Sequence, residues 1–175
     1  MEKTINKKTI YKGSILDLDL LEVELPNKKT AKREIINNAD AVVILTMDED
    51  NKIYFVKQYR KAIEDYLLEL PAGKIDEGES PLVSAKRELA EEIGFSSNKF
   101  DFLFSFYSSP GFSKEKIHAY KAVDLFEYKR NGDDDEFIEI IKLPFEEALE
   151  CIKNNRITDV KSISTILYYN QFLGK

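Results

Sequence analysis

Gly73 to Phe95 reads GKIDEGESPLVSAKRELAEEIGF, and the rest of the chain is best understood outward from its second half. Ser80-Pro81 has the form of a helix N-cap followed by proline at the first helical position, and Gly94 that of a C-terminal stop. Between them Leu82, Ala85, Leu89 and Ile93 fall on one face at ~100° per residue, so the spacing predicts an amphipathic helix. Glu88, Glu91 and Glu92 stand at i, i+3 and i+4, which makes them helix-surface neighbours about 5–6 Å apart. Like charges at that spacing cost a helix a few tenths of a kcal/mol per pair. They also crowd the C-terminal half, where the macrodipole favours cations. Two local rules broken within one turn point to a functional site.

A divalent cation would turn this cost into a gain, because clustered carboxylate oxygens are what Mg²⁺ or Mn²⁺ takes as ligands. Arg87, a permanent cation, cannot ligate a metal. It can pair with neighbouring carboxylates and hold them, with Glu79, one residue before the cap, as the expected partner. For an arbitrary trio of glutamates, a solvated acidic face is the ordinary reading.

Upstream, Tyr11 to Leu25 reads as a strand whose apolar phase slips at Leu20-Leu21, implying a bulge or a strand that changes faces. Pro26-Asn27 is a turn and Ala31 to Ile36 a return strand. A lone hairpin is marginal in water, so this arm, residues 1–38, is expected to lie against the rest of the chain or a second copy. Ala41 to Met47, Lys52 to Tyr59 and Tyr66 to Leu70 are further strand candidates. Downstream, Phe100 to Tyr107 and Lys116 to Leu125 flank the loop Ser108-Ser109-Pro110-Gly111. A polar loop over 127–135, a strand over Phe137 to Lys142, and helices from Pro144 and from Asp159 to Phe172 complete the chain. Many strands with three helices in mixed order imply a mixed α/β sandwich.

Composition narrows the function. The 175 residues carry 43% hydrophobic side chains, 26 Lys+Arg against 32 Asp+Glu, net charge −6 and one cysteine. That is core enough for an unstapled fold. The acidic balance argues against binding nucleic acid or a membrane surface, and one cysteine excludes a disulfide framework or a cysteine-rich zinc site. With no signal or apolar span in view, a cytoplasmic location is expected.

The central stretch resembles the Nudix box, the signature of the Nudix hydrolases: Gly73, Glu79, Arg87, Glu88, Leu89, Glu91, Glu92, Gly94 and Phe95 fill its positions without departure. At average residue frequencies the match would arise by accident about once in ten million such chains. The resemblance implies a Nudix α/β/α sandwich with a mixed β-sheet over 39–175, preceded by the β arm. It implies Glu88, Glu91 and Glu92 with the backbone carbonyl of Ala72 as ligands of Mg²⁺ or Mn²⁺, and Glu91 and Arg87 within the catalytic set. Lys57-Gln58-Tyr59-Arg60, Glu69-Leu70-Pro71-Ala72-Gly73 and Ser109-Pro110-Gly111-Phe112, with Pro110 sixteen residues past Gly94, are similar to the ADP-ribose pyrophosphatase branch. The activity so implied is hydrolysis of ADP-ribose to AMP and ribose 5-phosphate by a homodimer whose arm reaches its partner.

An acidic protein does not draw in a pyrophosphate by its own field, so metal must neutralise the phosphates. The resemblance implies a general base from the acidic loop Asp133-Asp134-Asp135-Glu136, with Glu136 the best match among the four and Glu115 a second candidate. Arg33, Arg60, Pro110 and Gly111 are the expected substrate contacts, since a guanidinium fork suits phosphate oxygens. With no tryptophan, an adenine would stack on Ile15, Tyr59 or Phe112. His118 and Cys151 read as structural. Activity on NADH, a sugar nucleotide or a dinucleoside polyphosphate, or a non-catalytic ADP-ribose sensor, are the alternatives.

Overall fold

The structure, a computed structural model, describes residues 1–130, 132 and 137–174. Its contacts divide the chain into two units, residues 1–40 with 106–116, and residues 41–105 with 117–175.

The first unit is a three-stranded antiparallel sheet in the order β1-β2-β3, formed by β1 (Lys3–Lys12), β2 (Asp17–Glu24) and β3 (Thr30–Asn37). Segment 106–116 joins it through Ile36, whose N–H donates to Phe112 O at 2.7 Å and whose carbonyl accepts from Lys114 N at 3.3 Å. Three details differ from the sequence reading, the first being that Tyr11 to Leu25 is no single strand, since Tyr11 and Lys12 end β1 and β2 begins only at Asp17. Strand β1 is an addition, because all ten of its residues are exposed and no apolar alternation marks it. Of the two readings of the phase slip at Leu20-Leu21, the bulge is absent: the β2–β3 ladder runs unbroken through Leu20↔Glu34 and Leu21↔Arg33, and the irregularities lie in β1–β2 at Thr4/Asn6 and Thr9/Tyr11. Leu18, Leu20 and Leu21 are all half-buried, so both faces of β2 accept leucine and the change of phase needs no extra residue.

The second unit contains β4 (Ala41–Thr46), β5 (Lys52–Arg60), β6 (Asp65–Glu69), β7 (Ala72–Lys74), α1 (Pro81–Glu92), all but the last two residues of β8 (Phe95–Tyr107), all but the first of β9 (Lys116–Glu127), β10 (Ile138–Pro144), α2 (Phe145–Lys153) and α3 (Val160–Phe172). One sheet runs β7-β4-β9-β8, mixed because β4 pairs parallel with β9 and antiparallel with β7; the other runs β10-β5-β6. Val42 to Thr46 are all buried, as a strand covered on both faces requires. Val42 and Ile44 cluster with Ala85 and Leu89 of α1 and with Ile93, its C-cap, while α3 also packs on β4. Side chains alternate along a strand, so Val43 and Leu45 point to the other face. The result is a sheet between helical layers, the α/β/α sandwich.

Helix α1 begins and ends where its sequence directs. Ser80 Oγ accepts from Val83 N at 3.4 Å, Pro81 follows, and beyond the last turn Gly94 adopts φ +75°, a left-handed conformation that costs glycine little. Leu89 is fully buried, worth about 2 kcal/mol of transfer free energy. Leu82, placed on the apolar stripe by periodicity, is instead exposed, because the first turn extends past the sheet contacts.

Candidate active site

Helix α1 has no acidic residue in its first turn and no basic one in its last, so its macrodipole is uncompensated and Glu91 and Glu92 work against it. The carboxylates are restrained instead by what packs beside them. Glu92 is 8% exposed and its Oε2 accepts from Ala72 N at 2.9 Å. The Glu88 carboxylate lies on Gly73, so close that a Cβ there would fall 1.9 Å from Glu88 Cδ. The helix thus presents Glu88 and Glu92 to consecutive residues of β7, a three-residue strand just past Pro71 that carries no sequence periodicity.

Arg87 is the hub expected of it. Its Nη1 donates to Glu88 Oε1 at 2.7 Å and Glu91 Oε2 at 3.1 Å, its Nη2 to Glu79 Oε2 at 3.0 Å and to the Lys74 carbonyl at 2.9 Å. Asp76 stands 3.5 Å away. Four carboxylates therefore surround one guanidinium, an excess of three negative charges at Arg87. Arg130, unmarked by any motif, approaches Glu91 at 3.8 Å.

This donor set suits a hard divalent cation: all its side-chain donors are carboxylate oxygens, with net negative charge. Among the described residues, no three Asp, Glu, His or Cys side chains are already drawn into a metal cage. Glu88 and Glu91 turn toward Arg87, and Glu92 toward the Ala72 N–H. Beside Glu91 and Glu92 a cleft of about 720 Å³ opens, lined also by Phe95, Glu127, Lys129 and Ile138.

The remaining candidates are distributed across both units. Arg60 makes a bidentate pair with Glu69, Nε to Oε1 at 2.7 Å and Nη2 to Oε2 at 2.9 Å. Glu69 holds the Arg60 guanidinium protonated first, against burial, and Glu92 adds to this. Arg33, in the first unit, is paired with Glu2 at 2.5 Å. Pro110 and Gly111 are in the same unit, in a turn closed by Phe112 N and Ser113 N donating to Ser109 O. A Cβ on Gly111 would meet nothing within 4 Å. Glu115 accepts from Asn38 Nδ2 at 3.0 Å. Ile15 and Phe112 are exposed in the first unit; Tyr59, exposed in the second, meets Tyr66 edge-on. Glu136 lies outside the described residues. His118 Nδ1 bonds Ser105 Oγ at 2.9 Å, and Cys151 is buried.

Two carboxylates titrate unusually low. Hydrogen bonds from Arg87 and then Ser84 outweigh burial and bring Glu79 down to about 2. In the first unit Lys7 and then Thr9 bring Asp19 down to about 2. Their folded-state values lie below the unfolded ~4, so their stabilisation is complete above about pH 5 and is lost as pH falls toward 2. The thermal midpoint should therefore fall steadily over that window. A midpoint that stays flat from pH 5 to 2.5 would show that these pairs contribute nothing.

The class of protein follows from this fold and this box. The NUDIX domain pattern matches residues 37–163, and the chain belongs to the Nudix family of hydrolases, which work with divalent cations. Among its relatives, the ADP-ribose pyrophosphatase of Bacillus subtilis (strain 168) is 42% identical over 169 residues, 95% of this chain and 91% of that protein. The methanol dehydrogenase activator of Bacillus methanolicus is 44% identical over 170 residues, again 95% and 91%. The fold is shared with a crystal structure of an ADP compounds hydrolase at TM-score 0.90 and 24% identity, covering 99% of this chain and 94% of that one. Among the described residues no helix is long and apolar enough to cross a membrane.

Proposed function

We propose that this protein hydrolyses the pyrophosphate bond of ADP-ribose, releasing AMP and ribose 5-phosphate, with Mg²⁺ as the working cation and Mn²⁺ as a substitute. The observation that carries the reading is the arrangement of Glu88, Glu91 and Glu92 around Arg87 and β7. The similarity to the Bacillus subtilis pyrophosphatase supplies the substrate.

Glu88, Glu91 and Glu92, with the Ala72 carbonyl, would hold the cation. When bound it neutralises the pyrophosphate and lowers the pKa of water. The chain's own residues do the positioning. Arg87 keeps Glu79, Glu88 and Glu91 from repelling one another, and Gly73 leaves room for the Glu88 carboxylate. The cleft beside Glu91 and Glu92 gives the diphosphate a place to lie, with Lys129 available for charge pairing. Glu136 takes the proton from the attacking water, and Arg33, Pro110 and Gly111 orient the substrate. Arg60 contributes positive field while remaining on Glu69.

The protein acts in the cytoplasm as a homodimer through its N-terminal arm, residues 1–38. Strand β1, exposed along its length and carrying Ile5 and Ile10 at about half exposure, favours this. Light scattering at twice 20.2 kDa checks it.

A substrate panel tests the activity. With Mg²⁺ in ¹⁸O-water, ADP-ribose should give the highest kcat/KM against NADH, GDP-mannose and diadenosine polyphosphates, with label in a single product phosphate. Preference for another member would reassign the substrate, and no turnover of any would leave the sensor reading.

A further inference from the structure

Glu69 is 1% exposed yet charged. Burial alone would push its carboxyl up, but Arg60 and Lys161 bring it below the ordinary carboxylate range. The Arg60 fork spans both oxygens of this carboxylate, and Lys161 Nζ from the first turn of α3 shares Oε2 with it. Lys161 is only 17% exposed and also reaches Asp159 Oδ1 at 3.0 Å. Asp159 caps α3, its Oδ2 accepting from Ser162 N at 3.0 Å and Ser162 Oγ at 2.5 Å. Ser162 Oγ, fully buried, accepts in turn from Leu70 N at 2.8 Å.

Two ties thus run from one turn of α3 to consecutive residues, Lys161 to Glu69 and Ser162 to Leu70. The next residues are fastened as well. Pro71 O accepts from Ile44 N at 2.8 Å, Ala72 N donates to Glu92, and Gly73 lies under Glu88. Segment 69–73 leads from the end of β6 through a bend at Pro71 into β7, anchored at one end by α3 and holding the α1 carboxylates at the other.

We infer that Lys161, with Ser162 and Asp159, is a positioning residue: it fixes residues 69–73 so that Ala72 and Gly73 hold Glu92 and Glu88 in register for a divalent cation. This rests on the metal-site reading above. Removing the ammonium lets the buried Glu69 carboxylate reorient about Arg60 and loosens the strand that orients the ligands. Partners behind metal ligands are ordinarily worth about 10- to 100-fold in affinity or activity.

Mn²⁺ titration followed by electron paramagnetic resonance on the full chain tests this without turnover. Lys161→Met should bind Mn²⁺ about tenfold more weakly and lose kcat by a similar factor with KM for ADP-ribose little changed. Ser162→Ala, which removes one oxygen, should show the same pattern less strongly. Ser164→Ala, whose hydroxyl among the described residues bonds to the Val160 and Lys161 carbonyls of its own helix, should match the parent. Folded Lys161→Met and Ser162→Ala proteins with unaltered Mn²⁺ affinity and kcat would overturn the inference. So would failure of both to fold, since the network would then serve stability alone. Glu92→Gln run in parallel separates the two levels: if it too leaves Mn²⁺ binding intact, the metal-site reading itself is wrong.

Discussion

Glu92→Gln is expected to lower Mg²⁺-supported turnover by about 10³-fold while leaving the metal-free protein folded. The two halves of that expectation have different causes. Glu92 is nearly buried, and what the fold asks of it is an acceptor for Ala72 N. A glutamine oxygen of the same reach can supply that, so circular dichroism and the thermal midpoint should change little. What is lost is a full negative charge among the carboxylates of α1, next to an Arg60 whose protonated form Glu92 helps to stabilise. The amide leaves the field of Arg60 less opposed at the point where a cation must sit. Removing one preorganised electrostatic contact in an active site costs about 10²–10³ in kcat, and a charged ligand belongs at the upper end. The loss should persist at high Mg²⁺, because the defect is in the charge presented to the reacting phosphates as well as in affinity. Steady-state kinetics across a Mg²⁺ series decides it, and undiminished turnover would remove Glu92 from the metal site.

How much of this could be read from the sequence depended on how local its cause was. Helix α1 was legible to its ends because Ser80, Pro81 and Gly94 each act on backbone within a few residues, and the Arg87–Glu79 pair spans only eight positions. Strand β4 was legible because burial on both faces leaves a continuous apolar run. Strand β1 was not: with every residue exposed, its pairing comes from backbone ladder bonds that leave no side-chain pattern. Strand β7 was hidden because three residues carry no periodicity. The pairing of Arg60 with Glu69 was not legible, because it crosses from β5 to β6 and is supplied by fold geometry. The ties of Lys161 and Ser162 span 92 residues and have no local signature beyond the capping character of Asp159 and Ser162.

Gly73→Ala should leave a stable protein with turnover reduced about 100-fold, an effect out of proportion to one methyl group. The added Cβ would lie 1.9 Å from Glu88 Cδ and 2.1 and 2.2 Å from its two carboxylate oxygens, so something must move. Gly73 is held in the β7–β4 ladder opposite Val42, a fully buried core residue, whereas the Glu88 carboxylate is the end of a flexible side chain. The side chain yields and the strand does not. In yielding, Glu88 leaves the 2.7 Å bond to Arg87 that aligns it with Glu91, and misplacement by about 1 Å is enough to cost two orders of magnitude in rate. A double-mutant cycle separates this route from a general disturbance of β7. If alanine acts by displacing the Glu88 carboxylate, then in a Glu88→Gln background, where that carboxylate is already gone, adding Gly73→Ala should lower kcat only a few-fold further, a strongly non-additive pair. Additive losses would mean that the methyl group damages the strand itself, and the close approach of Gly73 to Glu88 would then be a matter of packing with no part in catalysis.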